Sequence, residues 1–188
     1  MIANKKSFEK LQKHLEEQEE KREEIIQSSR EVIKLSKQVI YALHRDDKKT
    51  AELSFKEISP YLKRLKEGKN YDTNMASVAL QEYVEAACYK ALIEKSILPS
   101  DVELKVDPEE YLLGLCDLTG ELMRKAVNAA IQNDKETVIK IRELVDEIYG
   151  FFITLNLRNG ELRKKSDAIK WNLRKIEDVL LSLKYNST

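Results

Sequence analysis

Apolar residues recur at helical spacing along most of the chain. In the segment from residue 8 to about residue 45 no residue breaks a helix, and apolar side chains repeat one or two turns apart, at Ile26, Ile33, Ile40 and Leu43. The pattern predicts one very long first helix. The segment over residues 1–20 is nearly all polar, which predicts a helical extension that is either solvated or packed on a neighbouring subunit.

Five more helices are predicted, separated by proline, glycine and short polar turns. They are expected over residues 46–68, 73–96, 107–131, 135–157 and about 160–185, with a connector over residues 97–106. Pro60 predicts a kink in the second helix and Gly68 its end, while Asp107 followed by Pro108 predicts the start of the fourth. We therefore expect an all-α bundle of six or seven helices, in a single domain over residues 1–188.

Composition agrees with long amphipathic helices, since charged residues make up 35% of the chain and only five glycines and three prolines interrupt it. The net charge is zero, so no overall field favours nucleic acid or a membrane. No apolar run reaches the ~20 residues that span a bilayer, and the first residues carry no secretory signal. Cys88 and Cys116 lie in apolar patterns and predict free, buried thiols, so we expect a cytoplasmic protein.

Four carboxylates interrupt helices that are otherwise apolar. Glu82 and Glu85 lie on one side of the third helix, and Asp117 and Glu121 lie one turn apart on the fourth. Burying a carboxylate is costly unless a cation or hydrogen-bond donors compensate it, and carboxylate oxygens alone favour Mg²⁺ or Mn²⁺ over zinc or iron. A wet helix face, with Glu121 paired to Arg124, explains the same spacing. Both interpretations are open at this point.

Two glycines, Gly114 and Gly120, flank the polar stripe of the fourth helix. Glycine inside a helix costs roughly 1 kcal/mol relative to alanine. Their presence predicts close approach of another backbone or of a ligand.

The first helix also carries a basic face. Seven side chains are expected on this face, because they are spaced three, four or seven residues apart: Arg30, Lys34, Lys37, Tyr41, His44, Arg45 and Lys48. Such a face can follow a phosphate backbone, with Tyr41 stacking on a base, or it can simply be solvated. A second basic patch is open to the same two interpretations and comprises Arg163, Lys164, Lys165 and Lys170.

Three segments together resemble the translin superfamily. They are "REVIKLSKQVIYALHR", "LQEYVEA" and "YLLGLCDLTGELMRKAVNA", of which "DLTGELMR" is the most specific, and the resemblance extends from about Lys21 to Tyr185. It is strongest to the translin-associated factor X (TRAX) branch. The resemblance implies a seven-helix bundle that assembles into hollow octamers, and factor X subunits are metal-dependent endoribonucleases that act on RNA inside the shell.

The same resemblance implies roles for individual residues. Glu82, Glu85 and Asp117 are expected to be catalytic ligands of Mg²⁺ or Mn²⁺, and Glu121 a ligand or an orienter of metal-bound water. Arg124 is expected to contact phosphate together with the basic face of the first helix. The expected partners are RNA, with single-stranded RNA favoured and single-stranded DNA as a second candidate, and further copies of the chain in a homo-oligomer. The rival expectation is a non-catalytic, translin-like nucleic-acid-binding protein.

Overall fold

The structure is a computed structural model that describes residues 5–67 and 74–185. Seven helices and no strand occupy this part of the chain. They are α1 (Lys5–His44), α2 (Lys48–Glu67), α3 (Asn74–Lys95), α4 (Asp101–Leu104), α5 (Pro108–Ile131), α6 (Lys135–Thr154) and α7 (Glu161–Tyr185). The predicted all-α fold with a long N-terminal helix is confirmed.

Most predicted helix ends agree with the structure to within a few residues. The helix α2 continues through Pro60, which lies on its exposed face, and the predicted end signal at Gly68 falls outside the described residues. Asp107 is the N-cap of α5 as predicted, although its side chain makes no capping hydrogen bond.

The predicted connector contains a helical turn that the sequence interpretation missed. Ser100 caps α4 by accepting a hydrogen bond from the backbone N–H of Glu103, and the Glu103 carboxylate accepts one from the backbone N–H of Ser100. This reciprocal pair is a capping box, whose Ser-x-x-Glu signature was visible in the sequence.

The packing order brings α3 and α5 into close contact at the centre of the bundle. The helix α1 packs on α2 and α3, α3 packs on α5, and α5 packs on α6 and α7. A Cβ atom at Gly114 would lie 2.6 Å from Cβ of Val84 and 2.8 Å from the carbonyl oxygen of Gln81, so the predicted close approach is confirmed there. Gly120 has ordinary space around it. The tight crossing sets the carboxylates of α3 opposite those of α5.

The start of α1 extends away from the core. Side chains from residue 5 to residue 24 are all exposed, including the apolar series Phe8, Leu11 and Leu15, each more than half exposed. Within the described residues, no helix has the length and apolar character needed to cross a membrane.

Candidate functional site

A cavity of about 790 Å³ lies where α1, α3, α5 and α7 meet. Acidic, basic and aromatic side chains share its wall, so it differs from the apolar interior around it. It is lined by Lys37, Gln38, Ile40, Tyr41, Glu82, Glu85, Asp117, Glu121, Arg124 and Lys165. All four carboxylates that the sequence singled out therefore face one space.

Asp117 is held by a lysine from α7. The Lys165 ammonium donates to Oδ2 of Asp117 at 2.6 Å and to Oε1 of Gln81 at 3.1 Å. The Lys165 side chain is 30% exposed and that of Asp117 is 34% exposed, so the pair lies at the inner edge of the cavity rather than on the open surface. Such a partly shielded, hydrogen-bonded ion pair is stronger than a surface pair.

Glu121 is held from behind by a buried histidine. Nε2 of His44 lies 2.5 Å from Oε2 of Glu121, and the Tyr89 hydroxyl lies 3.2 Å from Nδ1 of the same ring. Because a carboxylate only accepts, Nε2 carries the proton, and in the neutral ring Nδ1 accepts from Tyr89. The His44 hydrogen bond and the nearby Arg124 lower the pKa of Glu121. Tyr89 and His44 thus fix the direction of this carboxylate.

Glu82 and Glu85 occupy adjacent turns of α3 but have different surroundings. Glu82 lies 3.3 Å from the Lys37 ammonium, which is itself 64% exposed. Glu85 is buried, and no hydrogen bond or ion pair to its carboxyl group occurs among the described residues. It is therefore the one carboxyl group of the four without a partner in the described part of the chain.

The environment of Glu85 raises its pKa to about 8. Burial is the largest cause, followed by the negative charges of Asp117, Glu82 and Glu121, and the Lys165 ammonium offsets only part of these effects. A buried carboxyl group surrounded by other carboxylates holds its proton until a cation compensates it. Strong perturbation of this kind in a cleft is typical of functional sites.

The carboxylates do not converge on a single point in this arrangement. Among residues 5–67 and 74–185, no three His, Cys, Asp or Glu side chains form a group that could hold a metal ion as they stand. Asp117, Glu82 and Glu121 each point to a basic partner instead, namely Lys165, Lys37 and His44.

The predicted basic face of α1 is divided by the structure. Lys37 and Tyr41 line the cavity, and Arg45 lies over the Tyr41 ring at 5.5 Å and donates to its hydroxyl at 3.1 Å. Lys34 pairs with a glutamate of its own helix, and Arg30 lines a separate groove together with the end of α2. These side chains cover a longer strip of surface than one site.

His44 is a correction to the predicted basic face. Its side chain is only 4% exposed, and both ring nitrogens are engaged by Glu121 and Tyr89. It therefore lies behind the cavity, where it cannot reach a phosphate backbone on the surface. Arg124 is exposed at the cavity wall, with Nη1 3.6 Å from Oε2 of Glu121, so the anticipated pairing between these two is observed.

Sequence interpretation missed three residues that shape this site. Lys165 was seen only as part of a basic patch, and Gln81 and Tyr89 were not singled out for this role. The distances in sequence are large, since Lys165 is 84 residues from Gln81 and His44 is 45 from Tyr89. For Gln81 the available signal was a polar side chain in a helix that is otherwise rich in apolar residues.

Comparison with known proteins identifies the family. The sequence model of the Translin family matches residues 20–185. The chain belongs to the Translin family. The predicted resemblance is thereby confirmed at the level of the superfamily, and both branches are represented among its relatives. Translin of Gallus gallus is 38% identical over 78 residues, and Translin-associated protein X of Rattus norvegicus is 38% identical over 82 residues.

Those two alignments are partial. They cover 42% and 43% of this chain but only 34% and 28% of the respective relatives, so the chain spans about a third of the length of these Translin family members. The equal identities do not separate the Translin branch from the X branch.

Solved structures cover nearly the whole fold. The crystal structure of apo-NeC3PO is 30% identical, superposes with a TM-score of 0.88, and the match covers 97% of this chain and 98% of that one. AfC3PO in complex with duplex RNA is 28% identical, with a TM-score of 0.83 and coverage of 96% and 97%. These matches show that the described part of the chain has the seven-helix fold of these solved structures.

Proposed function

We propose that this Translin family chain is a divalent-metal-dependent endoribonuclease. The observation that carries the proposal is the single cavity in which four carboxylates face three cationic side chains. A purely structural bundle has no use for four acidic groups turned toward one cavity between its helices. A nuclease needs such a space, because it has to combine oxygen ligands for a metal ion with cations for a phosphate.

The chemistry of the donor set fits a hard divalent ion. All four groups are carboxylates, and oxygen ligands of this kind suit Mg²⁺ and Mn²⁺. Glu85 supports the assignment most directly, because it is buried without a described partner. Its pKa is raised to about 8 first by burial and then by negative neighbours, whose charge a cation would neutralise. We assign Glu82, Glu85 and Asp117 as ligands, and Glu121 as a ligand or an orienting group.

A bound divalent ion would supply positive charge at the scissile phosphate and help to activate water for hydrolysis. The protein's own side chains have distinct tasks around that centre. His44 and Tyr89 hold the Glu121 carboxylate in one orientation from behind. Arg124 and Lys37 lie at the cavity wall, where their cations can pair with phosphates of a bound strand.

The approach to the cavity suits a nucleic-acid strand. Tyr41 lines the cavity and is 56% exposed, so its ring is available to stack on a base, and Arg45 supports it from one side. Phosphate contacts and stacking are independent of sequence, which is consistent with low sequence specificity. AfC3PO binds duplex RNA in its solved structure. We therefore propose RNA as the substrate, and both single-stranded and duplex RNA need to be tested.

We further propose that the protein works as a homo-oligomer, with the octamer implied by family resemblance as the expected size. Phe8, Leu11 and Leu15 form an exposed apolar series at the start of α1, and Phe151 and Trp171 are also at least half exposed. Apolar surface of this extent favours burial between subunits. Light scattering that shows a monomer at micromolar concentration contradicts this part of the proposal.

The test of the nuclease proposal uses end-labelled RNA. Purified protein is incubated with single-stranded RNA, duplex RNA and single-stranded DNA, each with Mg²⁺, with Mn²⁺ and with EDTA. We expect internal cleavage of RNA that EDTA abolishes and that Glu85→Gln reduces by at least roughly a hundredfold. Cleavage that is unaffected by EDTA and by Glu85→Gln indicates a contaminating nuclease.

A second candidate function is non-catalytic binding of nucleic acid. It is favoured by one observation, namely that three of the four carboxylates already have basic partners in the structure. In that case RNA binds with the same affinity with and without divalent ions, and no cleavage occurs under any condition. A filter-binding measurement beside the cleavage assay separates the two functions.

A further inference from the structure

The ammonium of Lys165 occupies a preformed acceptor site among the carboxylates. Gln81, which is 3% exposed, directs Oε1 to this ammonium, while its amide Nε2 donates to the Ser77 hydroxyl at 3.1 Å. Ser77 in turn donates to Oε1 of Glu110 at 3.1 Å. This directional series fixes the amide oxygen toward Lys165. Together with Oδ2 of Asp117 at 2.6 Å, it forms a site built for a cation.

Lys165 occupies one oxygen of Asp117, a carboxylate that we assign as a ligand of the proposed metal ion. A carboxylate oxygen 2.6 Å from an ammonium group is not also available to a divalent ion, because the two cations would repel each other at close range. Lys165 extends from α7 on a flexible stem and its side chain is 30% exposed, so it can withdraw toward the open side of the cavity.

We propose that Lys165 and a divalent cation exchange at Asp117. In this arrangement Lys165 is a tethered cation that keeps the acidic centre compensated until an ion displaces it. The inference rests on the proposed metal-dependent function. It makes Lys165 a positioning residue for Asp117, one that controls access of the ion to the site.

Lys37 offers a useful contrast. Its ammonium lies 3.3 Å from a single oxygen of Glu82, and the side chain is 64% exposed. Among the described residues, no buried amide holds this ammonium as Gln81 holds that of Lys165. Solvent already competes for an ion pair of that kind. Exchange is therefore expected to depend mainly on Lys165.

The first measurement is the affinity of the full chain for Mn²⁺ alone. The concentration of free Mn²⁺ is determined by electron paramagnetic resonance. The variants are Lys165→Met, which keeps the stem without the charge, and the matched control Lys164→Met, which removes an exposed lysine one position earlier. We expect Lys165→Met to bind Mn²⁺ tighter by on the order of tenfold, because the competing cation is gone. Lys164→Met is expected to match the wild type.

The second measurement needs no variant and therefore holds even if Lys165→Met fails to fold. The wild-type chain is briefly acetylated at lysine in the presence and absence of Mn²⁺, and the labelled peptides are quantified by mass spectrometry. An ammonium held by charge-assisted hydrogen bonds to Asp117 and Gln81 reacts slowly with the acetylating reagent. We therefore expect labelling of Lys165 to rise severalfold with Mn²⁺. Lys164 serves as the internal reference whose labelling stays constant.

The outcomes separate this inference from the function on which it rests. Tighter binding in Lys165→Met, or increased labelling of Lys165 with Mn²⁺, supports exchange. Binding of Mn²⁺ to the wild type with unchanged labelling, and with equal affinity in Lys165→Met, overturns exchange and leaves metal dependence intact. Absence of Mn²⁺ binding in the wild type and in Lys165→Met overturns both the exchange and the proposed function.

Discussion

Replacing Glu85 by glutamine keeps the shape of the side chain and removes its carboxyl group. Of the four carboxyl groups in the cavity, this is the one whose raised pKa shows that its surroundings disfavour the ionised form. The pKa of this group rises from 4.5 to about 8 through burial and three negative neighbours. Because the folded-state pKa lies above the unfolded value, the glutamate contributes its full share of stability only below about pH 4.5. That share is lost as the pH rises through about 8.

The size of the effect follows from the same values. A displacement from 4.5 to about 8 corresponds to roughly 5 kcal/mol at most. Relaxation and water penetration reduce such penalties, so we expect Glu85→Gln to be about 2 kcal/mol more stable than the wild type at pH 8 in metal-free buffer. For a chain of this size that is a rise in melting temperature of about 4–8 °C. Near pH 4.5 the difference should vanish.

Thermal unfolding between pH 4.5 and pH 8.5, followed by circular dichroism at one protein concentration with EDTA present, measures this difference. Glu147→Gln, an exposed position on α6, is the matched control and should show no such pH dependence. Cleavage of RNA by Glu85→Gln should fall at least roughly a hundredfold with Mg²⁺ present. A lower melting temperature together with preserved cleavage would refute the reasoning, because Glu85 would then be a structural partner and not a ligand.

Three further predictions concern the basic face, the helix crossing and the orientation of Glu121. The Lys34→Ala, Lys37→Ala double variant should bind RNA more weakly and lower the slope of log affinity against log salt by roughly two, as measured by filter binding; an unchanged slope removes this face from the interface. Gly114→Ala should destabilise the protein by about 1–3 kcal/mol in chemical denaturation, because its Cβ would clash with the backbone and a side chain of α3. Gly150→Ala is the control: its Cβ meets nothing within 4 Å, so this variant should be neutral or stabilising. Tyr89→Phe removes the hydroxyl that donates to Nδ1 of His44. Cleavage should fall severalfold in the labelled-RNA assay, while RNA affinity stays constant. Loss of affinity would instead place Tyr89 in substrate binding.

Hydrophobic periodicity was sufficient to predict the six long helices, because apolar residues recur along them at helical spacing. The Asp107–Pro108 pair located the start of α5 to the residue. The short helix α4 was missed because one turn carries no period, although its capping box was readable at Ser100. Helix spacing also predicted correctly that Glu82 and Glu85 share one side of α3.

The partners of the carboxylates were not predictable in the same way. Helix spacing relates residues three or four apart, whereas Lys165 reaches Asp117 across 48 positions and His44 reaches Glu121 across 77. His44 shows the limit most clearly, since its spacing along α1 placed it with exposed lysines. In the structure the His44 side chain faces Tyr89 in the interior. Which side of α1 faces its neighbours depends on how the helices pack, and spacing along one helix does not give this.

The charges that line the cavity lead to a last prediction about protons. Four carboxyl groups face three basic side chains, Lys37, Arg124 and Lys165. Below its pKa of about 8, Glu85 is protonated, and the remaining three carboxylates then match the three cations. Introducing a divalent ion adds two positive charges to a centre that is already balanced. Loss of the Glu85 proton and withdrawal of the Lys165 ammonium restore the balance together.

Binding of Mn²⁺ at pH 7 should therefore release about one proton per site, and affinity should rise with pH until about pH 8 and then level off. Calorimetric titrations in two buffers of different ionisation enthalpy measure the number of protons released. Glu85→Gln, which has no proton to lose, is the control and should release none. If wild type and variant release the same number of protons, the proton comes from another group, and the balance between Glu85 and Lys165 does not govern ion binding.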